Sequence, residues 1–175
     1  MNGPRQSIAP LCPSAQPQTQ GSLLIGVVGG SVDQPRAEFL EAPRPVTEDL
    51  LQLTYPVAPT EVLRVAAPCI GGACHHFVGR RCALAAKVVQ LLPAVVDQVP
   101  DCPIRPECRW FSQEGPAACQ RCPQVITHDL RPSPEMQLAA NPRVPAATSH
   151  CSSTTLGETK APQPPGSVDR PRRGS

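Results

Sequence analysis

Nine cysteines stand in this chain, and seven of them fall between residues 69 and 128. They run Cys69-x4-Cys74-x7-Cys82 and then, after a spacer with helical periodicity, Cys102-x5-Cys108-x10-Cys119-x2-Cys122. An odd number of thiols cannot all pair as intramolecular disulfides. The Met1-Asn2-Gly3-Pro4 start has no basic segment followed by an apolar stretch, so no secretory signal is visible and a cytoplasmic location is expected. In such a reducing compartment, clustered thiols serve metals or redox chemistry more often than disulfides. Cys12 and Cys151 lie in segments expected to be disordered and read as incidental.

The second group carries the stronger pattern. Cys119-x2-Cys122 at a helix start sets two thiolates on one side of a turn, near amides that favour negative sulfur. Cys102 and Cys108 can close a four-thiolate site from the loop before it. Tetrahedral sulfur suits Zn²⁺ or an iron–sulfur cluster of two or four irons. Trp110 and Phe111 supply an apolar wall that would shield a cluster from water, although plain core packing would use them equally well.

The run Cys108-Arg109-Trp110-Phe111-Ser112-Gln113-Glu114-Gly115-Pro116-Ala117-Ala118-Cys119-Gln120-Arg121-Cys122-Pro123 resembles the C-terminal signature of ferric siderophore reductases, a Cys-Cys-x10-Cys-x2-Cys motif. Cys108, Cys119 and Cys122 match three of its ligands, and the resemblance implies a [2Fe–2S] cluster on them. Glu107 stands where that family has the adjacent cysteine, so Cys102 has to substitute from six residues upstream. The likeness covers 16 of 175 residues, and the long reductase domain of that family has no counterpart here. It therefore implies a cluster rather than siderophore reduction.

Cys69, Cys74 and Cys82 form a looser set. With His75 or His76 they make a Cys₃His zinc site, or they add ligands to one shared centre; the alternative is buried thiols beside a surface histidine pair. Arg80 and Arg81 flank Cys82, and Arg105, Arg109 and Arg121 flank the later cysteines. Cations there would offset the charge of a thiolate site, while solvated arginines would look the same in sequence.

Other chemistries find less support. Cys74 and His75 are sequence neighbours whose side chains diverge, with no third group to complete a nucleophilic site. Glu107 and Glu114 do no better as paired catalytic carboxylates. Gly26, Gly29 and Gly30 lack the Gly-x-Gly-x-x-Gly spacing of a phosphate-binding turn. The chain is not expected to be an enzyme on its own. A net charge of +2 is too small to argue for nucleic acid or an anionic membrane. No run of 18 apolar residues offers a membrane span.

Elements that would hold these thiols follow from composition and period. Twenty-four Pro and only five aromatics make one ordinary 175-residue domain improbable. Residues 1–20 and 129–175 hold 12 of those Pro and are expected to be a disordered arm and tail. Residues 21–68 read as a short β/α lead-in. Its parts are a strand from Leu23 to Val28 stopped by Gly29-Gly30, a helix over 46–53 capped by Thr47, and a strand over 61–66. Residues 69–128 read as the metal-binding domain. Leu84, Val88, Leu91, Leu92, Val95, Val96 and Val99 form one helical stripe, bent or broken at Pro93. A second helix is expected from Pro116 through Cys119 and Cys122 toward Val125.

The expected fold is thus a small, mainly α, cysteine-rich metal-binding domain with a minor β element and long disordered ends. The expected function is an iron–sulfur protein in electron transfer or redox sensing, working with a protein redox partner or as accessory to a larger enzyme. The alternative is a zinc-stabilised adaptor that binds a protein or nucleic acid without catalysis.

Overall fold

Residues 9–146 are described by the structure, a computed structural model. Strand β1 is Leu11–Cys12; β2, Leu23–Ser31, and β3, Gln34–Pro45, form a hairpin around Val32-Asp33. The glycines do not stop β2. A Cβ at Gly26 would lie 2.5 Å from the carbonyl oxygen of Glu38, so the glycine permits the close approach of the two strands. Gly30 has φ +83° and prepares the turn. Strand β4, Leu63–Pro68, pairs with β2 on one side and β1 on the other, giving the antiparallel order β1-β4-β2-β3.

Central β4 separates two layers because its side chains alternate. Leu63 and Val65 pack with Leu24 on one face, under Leu50 and Leu51 of helix α1, Glu48–Gln52. Thr47 caps α1 as expected, its side chain accepting the Leu50 N–H. Ala66 faces the main core with Ile25, and Arg64 shares that face. A single-turn helix α2, Pro59–Val62, takes the first residues of the strand expected over 61–66.

The cysteine-rich layer covers the Arg64–Ala66 face. A two-stranded hairpin, β5 (Phe77–Val78) and β6 (Arg81–Cys82), turns through Gly79 and Arg80, both with positive φ. Helix α3, Ala83–Leu91, follows and buries Ala85 and Val88. It ends where Pro93 has no N–H to continue the ladder, and the Val95 N–H donates to the Gln120 carbonyl instead, at 3.0 Å. The stripe expected to run on to Val99 is therefore helical only to Leu91. Helix α4 is Arg109–Glu114 and α5 is Pro116–Cys119, with Pro116 in its first turn as expected. Cys122 begins a separate 3₁₀ turn, Cys122–Gln124, because Pro123 cannot continue α5. Helix α6, Pro134–Ala140, buries Met136 and Ala139.

Three expectations are corrected. The domain is not mainly α: six strands in two sheets share the described residues with six helices, and the longest helix has nine residues against twelve in β3. Residues 9–20 are not a disordered arm, for Leu11, Pro13 and Ala15 are buried. Residues 129–146 are not all tail, because α6 packs on α3. Residues 1–8 and 147–175, including Cys151 and the Arg170–Arg173 cluster, lie outside the described residues. Among the described residues no helix is long and apolar enough to cross a membrane.

Candidate metal centre

Cys102, Cys108, Cys119 and Cys122 all line one small, closely packed recess, walled by Pro13, Phe39, Trp110 and Ala118. The loop before α4 carries Cys102 and Cys108, α5 ends at Cys119, and Pro123 forces the turn that brings Cys122 back. These four thiols act on one another: Cys122 and Cys102 each disfavour ionisation of Cys108 and of Cys119. Trp110 is 1% exposed and belongs to the same wall.

A buried cation meets this group. Arg64 is 1% exposed; its Nη2 donates to Cys122 Sγ at 3.3 Å and its Nη1 to the Val125 carbonyl. The guanidinium also lies 5.8 Å from the centre of the Trp110 ring. Among the described residues Arg64 has no carboxylate partner. A guanidinium removed from water with no counter-charge costs several kcal/mol, on the order of the penalty for any buried ion. Arg105 adds a second cation beside Cys102 and Cys119. Arg64 Nε, Arg105 Nε and Trp110 Nε1 are buried donors without acceptors. A four-thiolate metal centre, net negative and rich in sulfur acceptors, fits both the unpaired charge and the idle donors. The other expected cations serve differently. Arg81 pairs with Glu114 at 3.1 Å, Arg121 donates to the Leu92 and Ala117 carbonyls, and Arg109 stacks over Phe77.

The earlier cysteines gather separately. Cys74 Sγ accepts the His76 N–H at 3.4 Å, and Cys82 caps α3 by accepting the Ala85 N–H at 3.5 Å. Cys69 and Cys74 both act on Cys82. The thiol that joins them is Cys12, within electrostatic reach of Cys82 and Cys69. Sequence reasoning set Cys12 aside; the signal that could have kept it is Cys12-Pro13, the same Cys-Pro pair as Cys102-Pro103 and Cys122-Pro123. His75 and His76 border a broad groove with Cys74, Ser14 and Met136. Burial, then Lys87 and His75, hold the His76 imidazole below its usual pKa.

Burial pushes the thiols up, Cys12 to about 11 and Cys108 to about 12, with Cys82, Cys102 and Cys119 raised in the same direction. That is the opposite of a nucleophilic cysteine, whose thiol is lowered and accessible. All eight described cysteines are free thiols. Among the described residues no group of three or more His, Cys, Asp or Glu side chains is placed to hold a metal ion. No family model matches this chain, and neither curated proteins nor solved structures show a significant similarity to it.

Proposed function

We propose that this chain is an iron–sulfur protein that carries or senses electrons, with Cys102, Cys108, Cys119 and Cys122 as ligands to a two- or four-iron cluster. The observation that carries the reading is Arg64: a buried guanidinium touching Cys122 Sγ with no carboxylate partner among the described residues. Four neutral thiols leave that charge uncompensated, whereas a thiolate-bound cluster balances it. A bound cluster supplies one-electron chemistry, and its potential answers to net charge, hydrogen bonds to sulfur and solvent access. Trp110 and Phe39 exclude water from the sulfurs, while Arg64 and Arg105 hold positive charge against them. A protein redox partner, or a larger enzyme to which this chain is accessory, supplies and removes the electron in a reducing compartment such as the cytoplasm.

The test is anaerobic purification of the full chain, with iron and acid-labile sulfide measured beside visible and electron-paramagnetic spectra. The expected product is brown, and Cys119→Ala removes iron, sulfide and signal from this site. A colourless protein with zinc and no sulfide would make it the zinc-stabilised adaptor instead.

A further inference from the structure

We infer that Arg105 is the latch of the thiol recess: its guanidinium lies across the side on which the sulfurs are reachable and governs which solutes meet them. As a latch over a cluster it rests on the function proposed above; as a latch over thiols it stands without metal.

The four sulfurs are not equally open. Cys108 and Cys122 are buried, whereas Cys102 and Cys119 are partly exposed. The other partly exposed members of the lining are Phe39, Pro100 and Arg105, so these residues form its rim. Three separate stretches supply that rim: the edge strand β3, the loop before α4 and the end of α5. Among the described residues Arg105 is the only charged side chain in the lining.

The Arg105 backbone is pinned between two of the cysteines. Its N–H donates to the Cys102 carbonyl at 3.3 Å, and its carbonyl accepts the Cys108 N–H at 3.2 Å. Pro103 and Pro106 fix φ on either side, which leaves the long side chain as the part free to move. That side chain turns inward. Its Nη2 donates to the Pro100 carbonyl, and its Nε is buried with no acceptor. Asp101 and Glu107 stand exposed in the same loop, yet neither forms an ion pair with it. Water and two carboxylates are available outside, so the inward course answers to the recess, where the charge acts on Cys102 and Cys119.

Two consequences follow from a guanidinium in that place. Its attraction to the sulfurs grows when they become anionic, so the latch is loose over neutral thiols and tight over thiolates. It also sorts solutes by charge, since a cation at a narrow, poorly solvated opening draws small anions ahead of neutral molecules of the same size.

The test uses the full chain stripped of metal by a chelator and alkylated at neutral pH with neutral iodoacetamide or anionic iodoacetate, the sites being mapped by mass spectrometry. In Arg105→Ala, Cys102 and Cys119 should react with iodoacetamide about tenfold faster than in wild type, the factor one charge-assisted hydrogen bond holds back. Cys108 and Cys122 should stay slow. The preference of Cys119 for iodoacetate should be larger in wild type than in Arg105→Ala. Arg105→Lys should keep that preference, because it keeps the charge, and lose the shielding, because it lacks the planar fork. Added salt should slow iodoacetate at Cys119 in the wild type and leave iodoacetamide unchanged, a readout that stands even if Arg105→Ala fails to fold. The inference is overturned by unchanged rates at Cys102 and Cys119 in folded Arg105→Ala, or by a salt-insensitive iodoacetate rate in the wild type. A colourless wild type that meets these expectations would instead overturn the cluster and leave the latch standing.

Discussion

The two thiol groups of this molecule are built by opposite means. Cys102, Cys108, Cys119 and Cys122 lie within 21 consecutive residues, held by short helices and prolines, and are walled off by Trp110 beside a permanently charged arginine. Cys12, Cys69, Cys74 and Cys82 need a strand pairing closed across more than fifty residues. Of these only Cys74 lines an open groove, beside His76, whose imidazole is held below its usual pKa by burial, as the Lys87 amine is on α3. Proximity in sequence assembles a site cheaply, since loop closure costs little over short spans. The long-range group has to rely on the sheet. Charge follows the same division: the enclosed group has a guanidinium on Cys122 Sγ, and the other has Lys87 and His76, both held below their usual pKa by burial.

Trp110→Ala should show the larger dependence of the enclosed group on its wall. Truncating a Trp that is 1% exposed is expected to cost about 3–5 kcal/mol, read by thermal or denaturant unfolding of the metal-free chain. Phe77, only half-buried in the open group, should cost clearly less on the same change. Equal losses would erase the contrast in packing.

Alkaline pH probes both groups at once. Folded Cys12 and Cys108 hold their protons to about 11 and about 12, against an ordinary value of 9.0. The sign follows from linkage: raised thiols contribute stability that is complete below about pH 9 and lost as pH climbs toward those folded values. The metal-free chain is therefore expected to weaken steadily above pH 9. His76 acts the other way, because its lowered pKa makes the fold lose stability as pH falls through the imidazole range. With metal bound, protons compete for sulfur and loading should fall on acidification. Proton release on loading, measured by calorimetry in two buffers, checks this; no release at pH 7 would mean the thiols were already ionised.

Much of the enclosed site was readable because its information is local. The Cys-x2-Cys pair, the Pro116 start and Trp110 all act within a few residues; Phe111, expected in the same wall, does not line the recess, and Phe39 of β3 stands there instead. The helix of Leu84 and Val88 was readable for the same reason, although Val95, Val96 and Val99 kept its period after Pro93 had ended its hydrogen bonds. Of the sheet, the strands expected over 23–28 and 61–66 return as β2 and β4, but β1 and β3 were not readable. Strand β3 carries Pro35, Pro43 and Pro45, which argue against a strand unless it lies at an edge, and an edge is where it lies. Strand β1 has two residues, too few for any period to appear. Arg64 is one charged residue in a loosely alternating run over 61–66, where sequence alone assigns it no face. Only the layer above it shows that its face is the buried one.

Arg64 is also the cation that touches the proposed ligands directly. Arg64→Leu removes a cation from the sulfur of Cys122 and should lower the potential of the enclosed cluster, since reduction adds negative charge there. Each ~1.4 kcal/mol of lost compensation corresponds to about 59 mV for one electron. Arg64→Lys should restore most of the shift. Redox titration followed by electron-paramagnetic resonance reads the shift, and an unchanged potential in Arg64→Leu would remove the guanidinium from the account of the site.

Smaller still should be the effect of the contacts that join the groups. Gln113 of α4 clasps the Cys82 backbone in both directions, accepting its N–H at 2.8 Å and donating to its carbonyl at 2.9 Å. Beside it, Arg81 and Glu114 form an ion pair whose arginine is 65% exposed. A pair so open to water is worth at most about 1 kcal/mol, and salt screens it further. Arg81→Ala is thus expected to shift unfolding by less than about 1 kcal/mol. Gln113→Leu strands two partly buried backbone groups and should cost about 1–3 kcal/mol, read by unfolding of the metal-free chain. If Arg81→Ala proved the more damaging of the two, the join between the groups would be electrostatic rather than a backbone clasp.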